Sequence, residues 1–207
     1  MSIPKTKVAQ ALRHLRRRDP VMRRVIDDVG SFTLRLQRDR FQVLVRSIIS
    51  QQISTAAARS IRLRLIELAG PRGLEATRLA ELSAEQMRTA GVSPQKAAYL
   101  GDLAQRVCSG ALELRTIGRL ADERIVDELT QVKGIGRWTA QMFLIFSLGR
   151  LDVFPHDDLG VRSAIRNRYG LAELPTKSES TAIASSWRPY ASVASWYCWR
   201  SLEVDAA

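Results

Sequence analysis

Apolar residues recur along this chain at three- and four-residue intervals, the mark of helices that bury one face. Val8, Leu12 and Leu15 form the first stripe. Asp19-Pro20 then opens a second helix with Val21, Val25 and Val29 on one side. Proline suits a first helical position because its missing N–H has no partner there anyway. Phe41, Leu44, Val45, Ile48 and Ile49 make a third stripe. It breaks at Ser50-Gln51-Gln52 and resumes as Ile53, Ala57, Ile61 and Leu65, with Ser54 placed to cap the second piece. Ser83 and Ser93-Pro94 open two further helices, and Ala121 to Leu129 turns Ile125, Val126 and Leu129 inward. Trp138 to Leu148 is almost wholly apolar, so this helix is expected to be buried on most sides. Asp157-Asp158 precede a helix carrying Val161, Ala164 and Ile165, and the last helices hold Trp187, Tyr190, Trp196, Tyr197 and Trp199. Only Phe32 to Leu36 alternates, weakly and with arginine interruptions. The pattern predicts an all-α protein with helices beginning by Val8.

At 207 residues the chain fits one compact domain or two small lobes sharing a core. Lys and Arg number 32 against 21 acids, a net charge of +11. Such an excess favours a polyanionic partner, because cations near phosphates release condensed counterions. Alone, it equally describes an arginine-rich surface. The charge is uneven. Met1 to Arg46 holds 12 basic and four acidic residues, net +8, whereas Gly110 to Thr130 holds three basic and five acidic, net −2. A nucleic-acid contact near that second segment would use backbone groups more than side-chain charge. The two cysteines, Cys108 and Cys198, are too few for a four-cysteine iron–sulfur cluster and lack zinc-site spacing. No apolar run reaches the roughly 18 residues of a membrane span, and no secretory signal pattern is visible. The expected setting is a reducing one, the cytoplasm.

Gly134 and Gly136 stand two apart between two apolar helices, in Val132-Lys133-Gly134-Ile135-Gly136-Arg137-Trp138-Thr139-Ala140. Glycines permit a tight turn and close approach, and the free N–H groups of the helix that follows make a phosphate site. Such a hairpin grips backbone without reading bases. The two glycines alone also describe an ordinary helix corner.

The longer string resembles the helix–hairpin–helix of the HhH-GPD DNA glycosylases. It is most similar to the alkylation-repair branch, 3-methyladenine DNA glycosylase II, over about Asp19 to Trp199. The resemblance implies a two-lobed all-α fold that binds double-stranded DNA between its lobes. The expected lobes are 41–150, including the hairpin at 130–140, and 1–40 with 151–207; the extra N-terminal β domain of larger relatives is not expected. It implies DNA contacts from Lys133, Gly134, Ile135, Gly136, Arg137 and Thr139. It also implies a structural Na+ or K+ on the carbonyls of Thr130, Val132 and Ile135, with no cofactor for catalysis. Lys133 departs from relatives that carry proline at this point.

An aspartate before a helix is first of all an N-cap, and one of Asp157 and Asp158 is expected to serve as one. A carboxylate can also stabilise the positive charge that builds on a sugar as its glycosidic bond breaks, and can orient or deprotonate water. By resemblance the catalytic residue is Asp158, leaving Asp157 as helper or cap. Bifunctional relatives place a Schiff-base lysine where this chain has Trp138, so the resemblance implies a monofunctional enzyme with water as nucleophile.

A base inside a duplex must be flipped out and held, and aromatic faces attract cationic alkylated purines. Trp199 matches the family's pocket tryptophan, Trp138 borders the cleft, and Met142 stands where some relatives have tyrosine. Trp187, Tyr190 and Trp196 are expected in the core. Gln51-Gln52 reads from composition as a polar loop; by resemblance it holds the DNA-probing wedge at Gln52, with Ser54 nearby as minor-groove contact or cap.

The expected function is removal of alkylated purines, 3-methyladenine and 7-methylguanine, from DNA by a monomer. Two alternatives stand beside it: a non-catalytic lesion-binding module, and a glycosylase/lyase for oxidised or deaminated bases.

Overall fold

The computed structural model describes residues 3–205 and is helical throughout, with no strand among the described residues. In chain order the helices are α1 (Lys5–Arg18), α2 (Pro20–Val29), α3 (Arg40–Ser50), α4 (Thr55–Ala69), α5 (Ala76–Glu81) and α6 (Ala84–Thr89). They continue with α7 (Pro94–Cys108), α8 (Asp122–Thr130), α9 (Arg137–Phe143), α10 (Leu159–Tyr169), α11 (Lys177–Ala184) and α12 (Ala191–Asp205). No helix is long and apolar enough to cross a membrane. The weakly alternating Phe32–Leu36 stretch forms no regular element.

The starts follow local chemistry. Asp19 caps α2 by accepting the N–H groups of Val21 and Met22, with Pro20 at the first position. Ser54 caps α4 through the Ala57 N–H, and Ser93 caps α7 through that of Lys96. Ser83 and Gln86 form a reciprocal capping box on α6. Each such cap stabilises its helix by about 1 kcal/mol, because it satisfies a donor that has no partner within the helix.

The chain divides into two compact units. One takes the described residues up to Leu36 together with those from Leu144 onward. In it α1, α2, α10 and α12 pack around Leu15, Met22, Ile26, Val161, Ile165, Trp187 and Tyr197. Trp187 and Trp196 are core residues, as expected, and Tyr190 is half-buried. Burying a large apolar side chain such as Leu15 or Met22 contributes roughly 1.5–3 kcal/mol.

The other unit is Gln37–Phe143. Here α3 packs on α4, α7 and α9, α5 and α6 pack on α7, and α8 packs on α9. Leu44, Ile48, Leu65, Leu100, Leu103, Ile125 and Leu129 are fully buried. The apolar run from Trp138 does not continue as a plain α-helix. After Phe143 it widens into a π-helical turn over Leu144–Leu148. Such widened turns frequently mark functional sites.

Candidate active site and DNA-facing turns

In the first unit, Asp158 is the N-cap of α10. Its Oδ1 accepts the Val161 N–H at 2.8 Å and the Trp199 indole N–H at 2.8 Å. The cap is therefore Asp158 itself. Of the two roles left to Asp157, helper or cap, the cap is ruled out, because Asp157 lies one residue too early for its carboxylate to meet the first-turn N–H groups. Asp158 is only 8% exposed. It sits at the positive end of the α10 dipole, and the two converging donors fix its Oδ1 in place.

Trp199 is half-buried, and its indole also lies against Phe146, with ring centroids 5.5 Å apart and planes 30° apart. Gly160 makes the approach of indole and carboxylate possible: a Cβ there would sit 3.0 Å from Trp199 Cδ1 and 3.2 Å from Asp158 Oδ1. Asp157 is exposed, with Oδ2 3.0 Å from His156 Nε2. The His156 side chain is only 14% exposed. Phe146 and Gly160 escaped the sequence reading. Phe146 looked like one more member of an apolar run, and Gly160 like an ordinary helical residue.

In the second unit the hairpin turn runs from Gln131 to Gly136 between α8 and α9. Val132 donates its N–H to the Leu129 carbonyl, and Ile135 donates to that of Val132. Gly134 has φ +79, and a Cβ there would come within 2.1 Å of the Tyr99 ring, so only glycine fits on both counts. Lys133 and Gly136 are exposed, and the Lys133 N–H reaches Asp102 Oδ2 at 2.9 Å. Arg137 is exposed but forked onto Glu123 with two 2.8 Å bonds, so its charge is partly met within the protein. Thr139 and Ile135 are buried, which restricts what they offer a ligand to main-chain groups. Trp138, at 44% exposure, is the large apolar residue that α9 leaves in solvent, and Met142 is half-buried.

The amide pair separates. Gln51 turns inward and donates its Nε2 to the Gly134 carbonyl at 2.8 Å, so it is not the solvent-facing amide that the sequence suggested. Gln52 is exposed and holds φ +56, and it is the non-glycine residue with positive φ among those described. Ile53 beside it is 36% exposed, an apolar side chain on a tight turn that the sequence reading assigned to a buried stripe. The Ser54 hydroxyl is occupied as the α4 cap.

An all-helical chain with a glycine hairpin and an indole-held capping aspartate defines a class of protein, and sequence comparison agrees. Residues 45–189 match the HhH-GPD superfamily base excision DNA repair protein model, and the chain belongs to this superfamily. It is 32% identical to DNA-3-methyladenine glycosylase 1 of Schizosaccharomyces pombe over 96% of this chain and 90% of that protein. The solved structure of the S. pombe 3-methyladenine DNA glycosylase in complex with abasic DNA superposes with a TM-score of 0.85, covering 94% of this chain and 97% of that one. A DNA-3-methyladenine glycosidase from Bacillus halodurans gives 0.87 at 34% identity, covering 95% and 90%.

Proposed function

We propose that this protein is a monofunctional DNA glycosylase that flips alkylated purines out of double-stranded DNA and hydrolyses their N-glycosidic bonds. The observation that carries the reading is the Asp158 carboxylate, buried at the α10 N-terminus and held by the Trp199 indole. Binding DNA needs no such group, which weighs against a non-catalytic module. The similarity to 3-methyladenine glycosylases, one of them solved on abasic DNA, supports the substrate class.

In this reading the C1′–N bond breaks with its electron pair leaving on the purine. Positive charge develops on the sugar, and Asp158 stabilises it. Water adds its oxygen to C1′ and gives up a proton, which Asp158 accepts. Trp199 lies against the flipped base. A cationic purine gains attraction from the indole faces and already leaves easily, so 3-methyladenine and 7-methylguanine suit a site with no dedicated acid. Asp157 stands at the edge of this pocket.

The hairpin N–H groups of Gly134, Gly136 and Arg137 take backbone phosphate, with main-chain help from Thr139. Gln52 enters the space the base leaves, and Ile53 adds the apolar surface that a glutamine lacks. A monovalent cation on the carbonyls of Thr130, Val132 and Ile135 would stiffen the turn. The Val132 oxygen already takes the Ile135 N–H and keeps a second lone pair for it.

The test is single-turnover base release from methylated duplex DNA, with borohydride present in a parallel reaction. Free 3-methyladenine and 7-methylguanine, with strands intact until alkali is added, are expected. A borohydride-trapped covalent adduct would show a lyase instead, and lesion binding without release would show a recognition module.

A further inference from the structure

Helix α7 carries Lys96, Tyr99, Asp102 and Arg106 at spacings of three, three and four, which is one helical stripe. That stripe touches both DNA-facing turns of its unit. Lys96 Nζ donates to the carbonyls of Ile49 and Gln51 at 2.7 Å each, closing the C-terminal end of α3. Tyr99 packs its ring against Gly134, and Asp102 Oδ2 accepts the Lys133 N–H at 2.9 Å and Arg106 Nε at 3.0 Å. The circuit closes through Gln51, whose Nε2 reaches the Gly134 carbonyl.

The carbonyls at a helix C-terminus have no partner within the helix and sit at the negative end of its dipole, so an ammonium there is doubly matched. Lys96 is half-buried, and burial lowers its pKa from the ordinary value. The next residue along, Gln52, holds a backbone conformation that a side-chain-bearing residue keeps only when its surroundings impose it.

We propose that Lys96 is a positioning residue for base flipping: by gripping the Ile49 and Gln51 carbonyls it keeps Gln52 and Ile53 projecting as a rigid probe. A rigid probe meets a stacked, paired base with its shape already set. A loose one must be ordered at that moment and loses most where the base resists most. The inference rests on the glycosylase reading above.

The variants are Lys96→Met, which keeps the stem and removes the donors, and Lys96→Arg, which restores donors. Lys96→Gln, with one amide, serves if the methionine variant does not fold by circular dichroism. Single-turnover release of 7-methylguanine is compared in a pair with cytosine and in a mispair with thymine, where flipping is easier. Lys96→Met should lose about tenfold on the paired lesion and no more than about threefold on the mispaired one. Its affinity for the undamaged duplex should stay within about twofold, and Lys96→Arg should recover most of the paired rate. Equal loss on both substrates, no loss, or no rescue by arginine would overturn the proposal. A duplex with 2-aminopurine beside a tetrahydrofuran abasic analogue reports probe insertion by fluorescence without any base release; Lys96→Met should blunt that signal and arginine restore it. If the wild-type protein releases no base, the proposed function fails, and the fluorescence comparison still decides the role of Lys96.

Discussion

Two aspartates of the first unit, Asp19 and Asp158, occupy the same local situation and end with different surroundings. Each is the N-cap of a helix, each is buried, and each accepts a tryptophan indole N–H. Around Asp19 the donors come from everywhere. Oδ1 takes the N–H groups of Val21 and Met22, and Oδ2 takes Tyr169 Oη, Ser186 Oγ and Trp187 Nε1. Its indole partner is fully buried. At Asp158 the Val161 and Trp199 donors both converge on Oδ1, the indole is half-buried, and the next residue, Leu159, is 64% exposed. One carboxylate has a fully buried indole for its partner. The other lies beside a half-buried indole and an exposed leucine, groups that solvent, and hence a ligand, can reach. Capping geometry is thus common to a structural aspartate and to the one proposed as catalytic, and the partners beyond the first turn separate them.

The comparison breaks most easily at its functional side. Asp158→Asn should lower single-turnover base release by about 10³-fold, the scale of losing a preorganised charge at a developing cation, with duplex affinity nearly unchanged. If the asparagine variant retains activity, Asp158 is only a cap and the contrast collapses.

Asp19→Ala should act on the fold instead. It strands the Trp187, Tyr169 and Ser186 donors in a dry core, so a destabilisation of about 3 kcal/mol is expected in chemical denaturation. The pH dependence follows from the same site. Burial alone would raise the Asp19 pKa, but hydrogen bonds from Tyr169, the Met22 N–H, Trp187 and Ser186 together hold it below the ordinary aspartate value. Burial, with the Asp19 charge beside it, pushes the Tyr169 phenol up, so that hydroxyl stays a donor. A depressed carboxyl pKa stabilises the fold above the unfolded value, and that contribution is lost as pH falls through the folded one. Melting temperatures should therefore fall more steeply below about pH 4 in the wild type than in Asp19→Asn. Parallel curves would show that the network stores no such linkage.

The smallest effect sharpens the Asp158 side. Gly160→Ala inserts a methyl that Trp199 and the Asp158 carboxylate must yield to by tenths of an ångström. Alanine is the better helix former, so stability should change by less than about 1 kcal/mol. Base release should still fall by about fivefold, within the range of a small overpacking penalty. Unchanged release would mean that the indole–carboxylate register does not matter to the reaction.

Much of this protein is written in short-range pattern. The stripes around Ile48 and Ile125 became buried helix faces, and the starts at Asp19, Ser54, Ser83 and Ser93 became caps, because both depend on residues three or four apart. The hairpin glycines and the Asp157-Asp158 pair were visible for the same reason. What the chain could not announce is which distant group each of these meets. Asp19 finds Trp187 across 168 positions, Asp158 finds Trp199 across 41, and Gln51 finds Gly134 across 83. Neighbours in sequence cannot tell a carboxylate beside a fully buried indole from one beside a half-buried indole, or an inward-turned amide from a projecting one. That distinction depends on desolvation and on donors brought together by packing, and only the tertiary structure supplies both.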